Sequence, residues 1–189
     1  MDEFDLIRDY FTWPVKDPSV RLGVGDDAAL LSLEQGYQLV TTTDTLVEGI
    51  HFSASTSAKD VAHKSLAVSL SDIAAMGAKA KYFTLALSIP KIDKSWLQEF
   101  SDSLRKLSGR YEVSLIGGDT TRGSLNITIT MMGMVESTKA LTRSGARPGD
   151  GVYVSGTIGD AGFCFWKFSN GLIPSSQELK RLNCPTPRV

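Results

Sequence analysis

Val113 to Val135 reads VSLIGGDTTRGSLNITITMMGMV. From Asn126 onward Ile127, Ile129 and Met131 alternate with Thr128, Thr130 and Met132, the period-two pattern of a long strand with one apolar side. Ahead of it, Val113 to Ile116 is a run of strand formers that enters Gly117-Gly118-Asp119-Thr120, so a second strand delivers an aspartate to a turn. Working outward, Trp96, Leu97, Phe100, Leu104 and Leu107 recur at helical spacing, and Tyr82 to Ile89 reads as a strand ended by Pro90. Farther back, Ser57 with Asp60 three residues later resembles a capping box. It opens a helix through Val61, Leu66, Leu70 and Ile73 that Gly77 can stop, which puts Asp72 near the helix's C-terminal end. Tyr37 to Thr43 reads as a strand, and Phe4, Ile7, Tyr10 and Phe11 mark a short amphipathic helix that stops before Pro14. Interleaved strands and helices of this kind predict an α+β layer, with helices enough to cover one face of a sheet.

On the other side of the long strand the texture changes at Arg147-Pro148-Gly149-Asp150. We expect a domain boundary near residues 137–150, giving an N-terminal α+β domain over residues 1–137 and, over 138–189, a linker and the start of a second domain. In that second part Val152 to Ser155 reads as a strand, a Gly-rich loop follows to Gly159, and Phe163 to Phe168 lie on a helix. The last residues, Cys184 to Val189, read as a loop leading onward, so the chain is expected to be part of a longer one and to lack turnover by itself.

At 189 residues and 42% hydrophobic, the chain can bury a core of its own. A net charge of -1, without a run of Lys and Arg to track phosphodiesters, argues against nucleic acid as a partner. Cys164 and Cys184 lack the spacing of a zinc site and fit a reducing compartment. The acidic N-terminus and the absence of a membrane-length apolar run predict a cytoplasmic protein, neither exported nor anchored.

Asp26-Asp27, Asp44, Asp72 and Asp119 each stand beside Gly, Ser or Thr at the expected edge of an element. Singly, each suits a turn or a cap. As a set they offer the hard oxygen ligands that magnesium needs, and without a cation they would repel one another and any phosphate. Gly23-Val24-Gly25-Asp26-Asp27-Ala28 fits the dinucleotide pattern G-x-G-x-x-A, but two carboxylates inside the loop would face the pyrophosphate, so that reading is rejected. A Walker A lysine and the protein-kinase signatures are absent. His63, mid-helix, reads as a surface residue; His51, in a loop, and Arg143, in Thr142-Arg143-Ser144-Gly145, remain open to a binding role.

Taken in order, GVGDDAALL, TTTDTLVEGIHF, SLSDIAAMGA, LIGGDTTRG and ALTRSGARPGD resemble the N-terminal part of the thiamine-monophosphate kinase family, within the superfamily of aminoimidazole ribonucleotide synthase and selenophosphate synthetase. The resemblance implies an α+β N-terminal domain of the aminoimidazole ribonucleotide synthase type, its mixed sheet covered by helices on one face and dimerising through the other, followed by the start of an α/β/α domain. It also implies magnesium-dependent transfer of the γ-phosphoryl of ATP to thiamine monophosphate. It matches Asp27, Thr42, Thr43, Asp44, Asp72 and Asp119 to magnesium positions, with Asp26 beside them. Gly118, Asp119 and Arg143 match nucleotide contacts, Tyr111 a further one, and His51 a substrate contact. Thr42 stands where the family usually has serine, which keeps an oxygen ligand. The family's later I-D-I-S-D-G-L segment, with its own metal carboxylates, is not in this sequence. The implied acceptor is a phosphate monoester, largely dianionic at neutral pH, so that no general base is needed. The remaining readings are another acceptor within the superfamily and a catalytically silent dimerisation or regulatory module.

Overall fold

The computed structural model describes residues 2–189. The chain opens with a helical turn α1 (Glu3–Leu6), whose N-terminus is capped by Asp2, and widens into a π-helical turn over Ile7–Phe11. The expected amphipathic helix is therefore present, but its second half is wider than an α-helix. A short hairpin, β1 (Val20–Leu22) and β2 (Leu30–Leu31), carries the Asp26-Asp27 loop at its tip.

The remaining strands form one sheet: β3 (Tyr37–Val47), β4 (Lys79–Ile89), β5 (Ser114–Arg122) and β6 (Asn126–Glu136), in the order β3-β6-β4-β5. All pairs are antiparallel except β4 with β5, which are parallel and joined through a helix, so the sheet is mixed. Helices α2 (Ala58–Ala75) and α3 (Lys94–Arg110) lie between strands in sequence. Ser57 Oγ accepts the Asp60 N–H at 3.1 Å, half of the expected capping box, and Asp93 caps α3 through the N–H groups of Ser95 and Trp96. Each cap is worth about 1 kcal/mol.

Alternation along β6 sorts the two faces. Ile127, Ile129 and Met131 are fully buried under the helices, whereas Thr128, Thr130 and Met132 are only partly covered. The helices put Leu66, Leu70, Ile73, Leu97, Phe100 and Leu104 into the same core, each fully buried side chain contributing roughly 1.5–3 kcal/mol. Close packing of α2 on β6 depends on Gly133, where a β-carbon would stand 2.6 Å from Ile73 Cγ2 and 2.8 Å from the Lys79 carbonyl. The N-terminal turns close the edge of this layer: Phe11 meets Phe100 edge-on, and Ser101 Oγ donates to the Tyr10 carbonyl.

Residues 137–159 carry neither helix nor strand. The strand expected at Val152 to Ser155 is thus corrected: Val152 and Tyr153 are almost wholly exposed, and no neighbouring strand offers them a ladder among the described residues. Two helices follow, α4 (Asp160–Ser169) and α5 (Ser176–Asn183), clamped by Lys167 and Glu178 at 2.7 Å. The tail after them rests on α2, where Cys184 Sγ donates to Asp60 and His63 Nε2 meets the Pro185 carbonyl at 2.9 Å. His63 is accordingly half-buried rather than a surface residue.

Candidate active site

The aspartates fall into two groups. In the first, α2 crosses β3: Thr42 Oγ1 donates to Asp72 at 2.9 Å, and Ser69 Oγ donates to Asp44 at 3.2 Å. Thr42 and Asp44 share the helix-facing side of β3 because they are two residues apart. Thr43, one residue out of phase, turns to the opposite face, where its hydroxyl pairs with that of Thr130 at 2.9 Å. The two threonines matched to metal positions thus point away from each other, and only the Thr42 hydroxyl reaches a carboxylate. Asp44 lies inside the strand and not beyond its edge, since β3 runs on to Val47. The Leu141 N–H donates to the Met76 carbonyl at 3.0 Å, which ties the chain two residues before the exposed Arg143 to the end of α2, whose last turn carries Asp72.

In the second group, Asp26, Asp27 and Asp119 line one cavity of about 320 Å³ together with Gly118 and Thr120, floored by Phe11, Leu85 and Leu115. Asp119 also lies within a strand, because β5 continues through Gly117-Gly118-Asp119 to Arg122 on the outer edge of the sheet. Gly118 is required there. Its φ is 152°, and a β-carbon would collide with the Leu85 carbonyl oxygen of β4. No Lys, Arg or His lines this cavity among the described residues, so three carboxylates face one space with no positive side chain between them.

Register fixes the separation of the two groups. Asp44, Ile129, Leu85 and Gly118 form one row across all four strands. Three strand spacings put the two edges roughly 14 Å apart. Asp44 and Asp72 therefore lie toward one edge of the sheet and Asp119 on the other, and no three His, Cys, Asp or Glu side chains converge on one position among the described residues. Tyr111 is also remote. It caps α3 just before β5 begins, with the Arg110 guanidinium 5.6 Å above its ring, and the strand carries Asp119 roughly 15 Å beyond that end.

His51 sits in an exposed turn after β3. Its Nδ1 accepts the Val47 N–H at 3.0 Å, its own N–H returns to the Val47 carbonyl at 2.9 Å, and buried Phe52 anchors the turn. Sequence reasoning passed over two further residues, Ser69 and Lys64. Both sit among apolar helix positions, and only the chain crossing reveals what they touch: Ser69 the Asp44 carboxylate, Lys64 the His51 carbonyl.

The family model described as AIR synthase related protein, N-terminal domain, matches residues 25–135. The chain belongs to that family. The AIR synthase related match takes in both aspartate groups and His51, and ends before Arg143. The chain is 46% identical over 194 residues to the thiamine-monophosphate kinase of Haemophilus influenzae, covering 100% of this chain and 59% of that protein. It is 42% identical to the crystal structure of thiamine-monophosphate kinase from Stenotrophomonas maltophilia K279a, with a TM-score of 0.86 over 98% of this chain and 60% of that one. A structure of AaThiL complexed with AMPPCP and TMP is 28% identical, with a TM-score of 0.75, covering 98% of this chain and 58% of that one. This AIR synthase related chain thus spans about three-fifths of the length of the relatives it matches. No helix among the described residues is long and apolar enough to cross a membrane.

Proposed function

We propose that this chain supplies the magnesium- and nucleotide-binding part of a thiamine-monophosphate kinase, which transfers the γ-phosphoryl of ATP to thiamine monophosphate and yields thiamine diphosphate. The observation that carries this reading is the cavity lined by Asp26, Asp27 and Asp119, which gathers hard oxygen donors and, among the described residues, no basic side chain. Such a donor set fits magnesium and repels a bare phosphate. A magnesium ion held by these carboxylates would supply positive charge to offset the nucleotide phosphates. Asp119, Asp27 and Asp26 would share the ion with nucleotide phosphates and water, since they line one cavity without converging on one point, and Gly118 would let the nucleotide approach the backbone. Asp44, Asp72 and the Thr42 hydroxyl would offer a second set of oxygen ligands on β3 and α2. Arg143 reaches a nucleotide phosphate from the end of α2, and His51 contacts the acceptor substrate. The likeness to thiamine-monophosphate kinases along the whole chain supports ATP and thiamine monophosphate as the substrates.

Residues 1–137 form the metal-binding and dimerisation domain in this reading, and 138–189 the linker and start of a second domain. A homodimer forms through the sheet face that the helices leave open. The working place is the cytoplasm, which agrees with two free cysteines.

The test is Asp119→Asn in the full-length protein, assayed for thiamine diphosphate formed from ATP and thiamine monophosphate. Removing the charge at constant volume should cost more than about a hundredfold in activity with an unchanged melting profile. Full activity in a folded variant would exclude the role.

A further inference from the structure

Lys64 is half-buried on α2, and its ammonium has one acceptor, the His51 carbonyl oxygen at 2.6 Å. No carboxylate lies within ion-pairing reach of it among the described residues. Burial pushes its pKa below the usual lysine value, opposed in small part by the nearby Cys164, so the charge is held there at a cost with a neutral carbonyl as its one hydrogen-bond acceptor among the described residues.

The turn that Lys64 grips is already specified from the other side. β3 is an edge strand, and the outward N–H of Val47 has no further strand to bond. The His51 ring supplies the acceptor at 3.0 Å. A nitrogen that accepts an N–H carries no proton, so Nδ1 is bare and the ring proton of neutral His51 is on Nε2. Nε2 has no partner among the hydrogen bonds of the described residues, and the residue is exposed.

We propose that Lys64 is a positioning residue for His51: its grip on the His51 carbonyl, together with the Val47 amide on Nδ1, holds the imidazole as the Nε2–H tautomer and presents that N–H outward as a fixed donor to the acceptor substrate. The proposal rests on the reading of His51 as a substrate contact, and it adds the protonation form and the residue that sets it. His51 then serves as a hydrogen-bond donor with its second nitrogen occupied, and not as a proton acceptor at Nδ1. The positive charge beside it belongs to Lys64, one step removed from the substrate.

The chain has two histidines, which makes the tautomer directly readable. His63 bonds the Pro185 carbonyl through Nε2, so it must also carry its proton there and serves as an internal standard for an intact fold. Long-range nitrogen–proton spectra of the labelled chain at about pH 8, well above the ordinary histidine value of about 6.5, should show both rings as single Nε2–H tautomers. Lys64→Arg keeps the donor and should leave His51 unchanged. Lys64→Met should turn the His51 signal into a mixture of tautomers while His63 stays put. A mixed His51 in the unaltered chain, or a Lys64→Met spectrum identical to it, overturns the proposal. In the full-length protein Lys64→Met should raise the KM for thiamine monophosphate up to roughly tenfold, the worth of one hydrogen bond, with the KM for ATP unchanged. His51→Ala with an unchanged acceptor KM would remove the substrate role of His51, a separate failure from that of the Lys64 contact, which the spectra decide alone.

Discussion

At the scale of single residues, Gly118 ties stability to the site most directly. Its φ of 152° and the closeness of the Leu85 carbonyl leave no room for a side chain. Gly118→Ala must push β5 away from β4 or twist the peptide that leads into Asp119. Overpacking of this kind costs about 1–3 kcal/mol, and the unfavourable backbone adds to it. Chemical denaturation should show a lower midpoint with an unchanged slope; a midpoint equal to that of the unaltered protein would show that the strand gives way freely. Asp44 and Asp72 behave differently, since both are reached by hydroxyl donors rather than by backbone constraint. Removing their charge is a change of chemistry and leaves the strand and helix intact.

At the scale of elements, the hydrophobic period made α2, α3 and β6 legible in the sequence, and the density of strand formers before Pro90 did the same for β4. The parts that carry the aspartates were less so. Thr41 to Thr45 on β3 and Gly117 to Arg122 on β5 lack an apolar rhythm, and both extend as strands because β6 and β4 offer them a ladder. That support comes from far along the chain, and residue type alone does not announce it. Val152 to Ser155 shows the converse: its apolar composition suits a strand, but with no partner beside it the segment stays irregular. The α4–α5 pair permits a test with acid. The Lys167 ammonium, 2.7 Å from the Glu178 carboxylate, and the Ser175 N–H pull that carboxyl down to about 2. A carboxyl held below its unfolded value adds stability above that value and loses it as the pH falls through the folded one. The pair should therefore hold down to about pH 4.5 and loosen between there and about 2. Each side chain is about a fifth exposed, so salt should narrow the effect. Glu178→Gln should abolish this window in an acid titration monitored by amide exchange of α5, and matching profiles for the two proteins would sink the assignment.

At the scale of the whole molecule, the sheet has one face under α2 and α3 and one lined by Thr43, Thr45, Thr128, Thr130 and Met132. Leu39 on the same face is 45% exposed, so a partner sheet would find both apolar surface and hydroxyl rows to bury. Met131 is fully buried on the helix side, and a charge there would disrupt the core, whereas Met132→Asp places it on the open face. Sedimentation equilibrium of the unaltered chain should give a species near twice 20.5 kDa, and Met132→Asp should return it to the single-chain mass. A lone chain at micromolar concentration, before any substitution, would refute the pairing. The strand order also sets a timetable. β3 bonds only to β6, and its Thr43 waits for Thr130, 87 residues later in the chain. At the pace of synthesis, about 5–20 residues per second, the strand that carries Asp44 therefore stays unpaired for roughly 4–17 s after it is made. Throughout that interval α2 can coil and β4 can emerge, but the threonine-rich strand has no strand to pair with. A nascent chain stalled before Asn126 should leave residues 37–47 open to protease, and release of the stall should close them in one step.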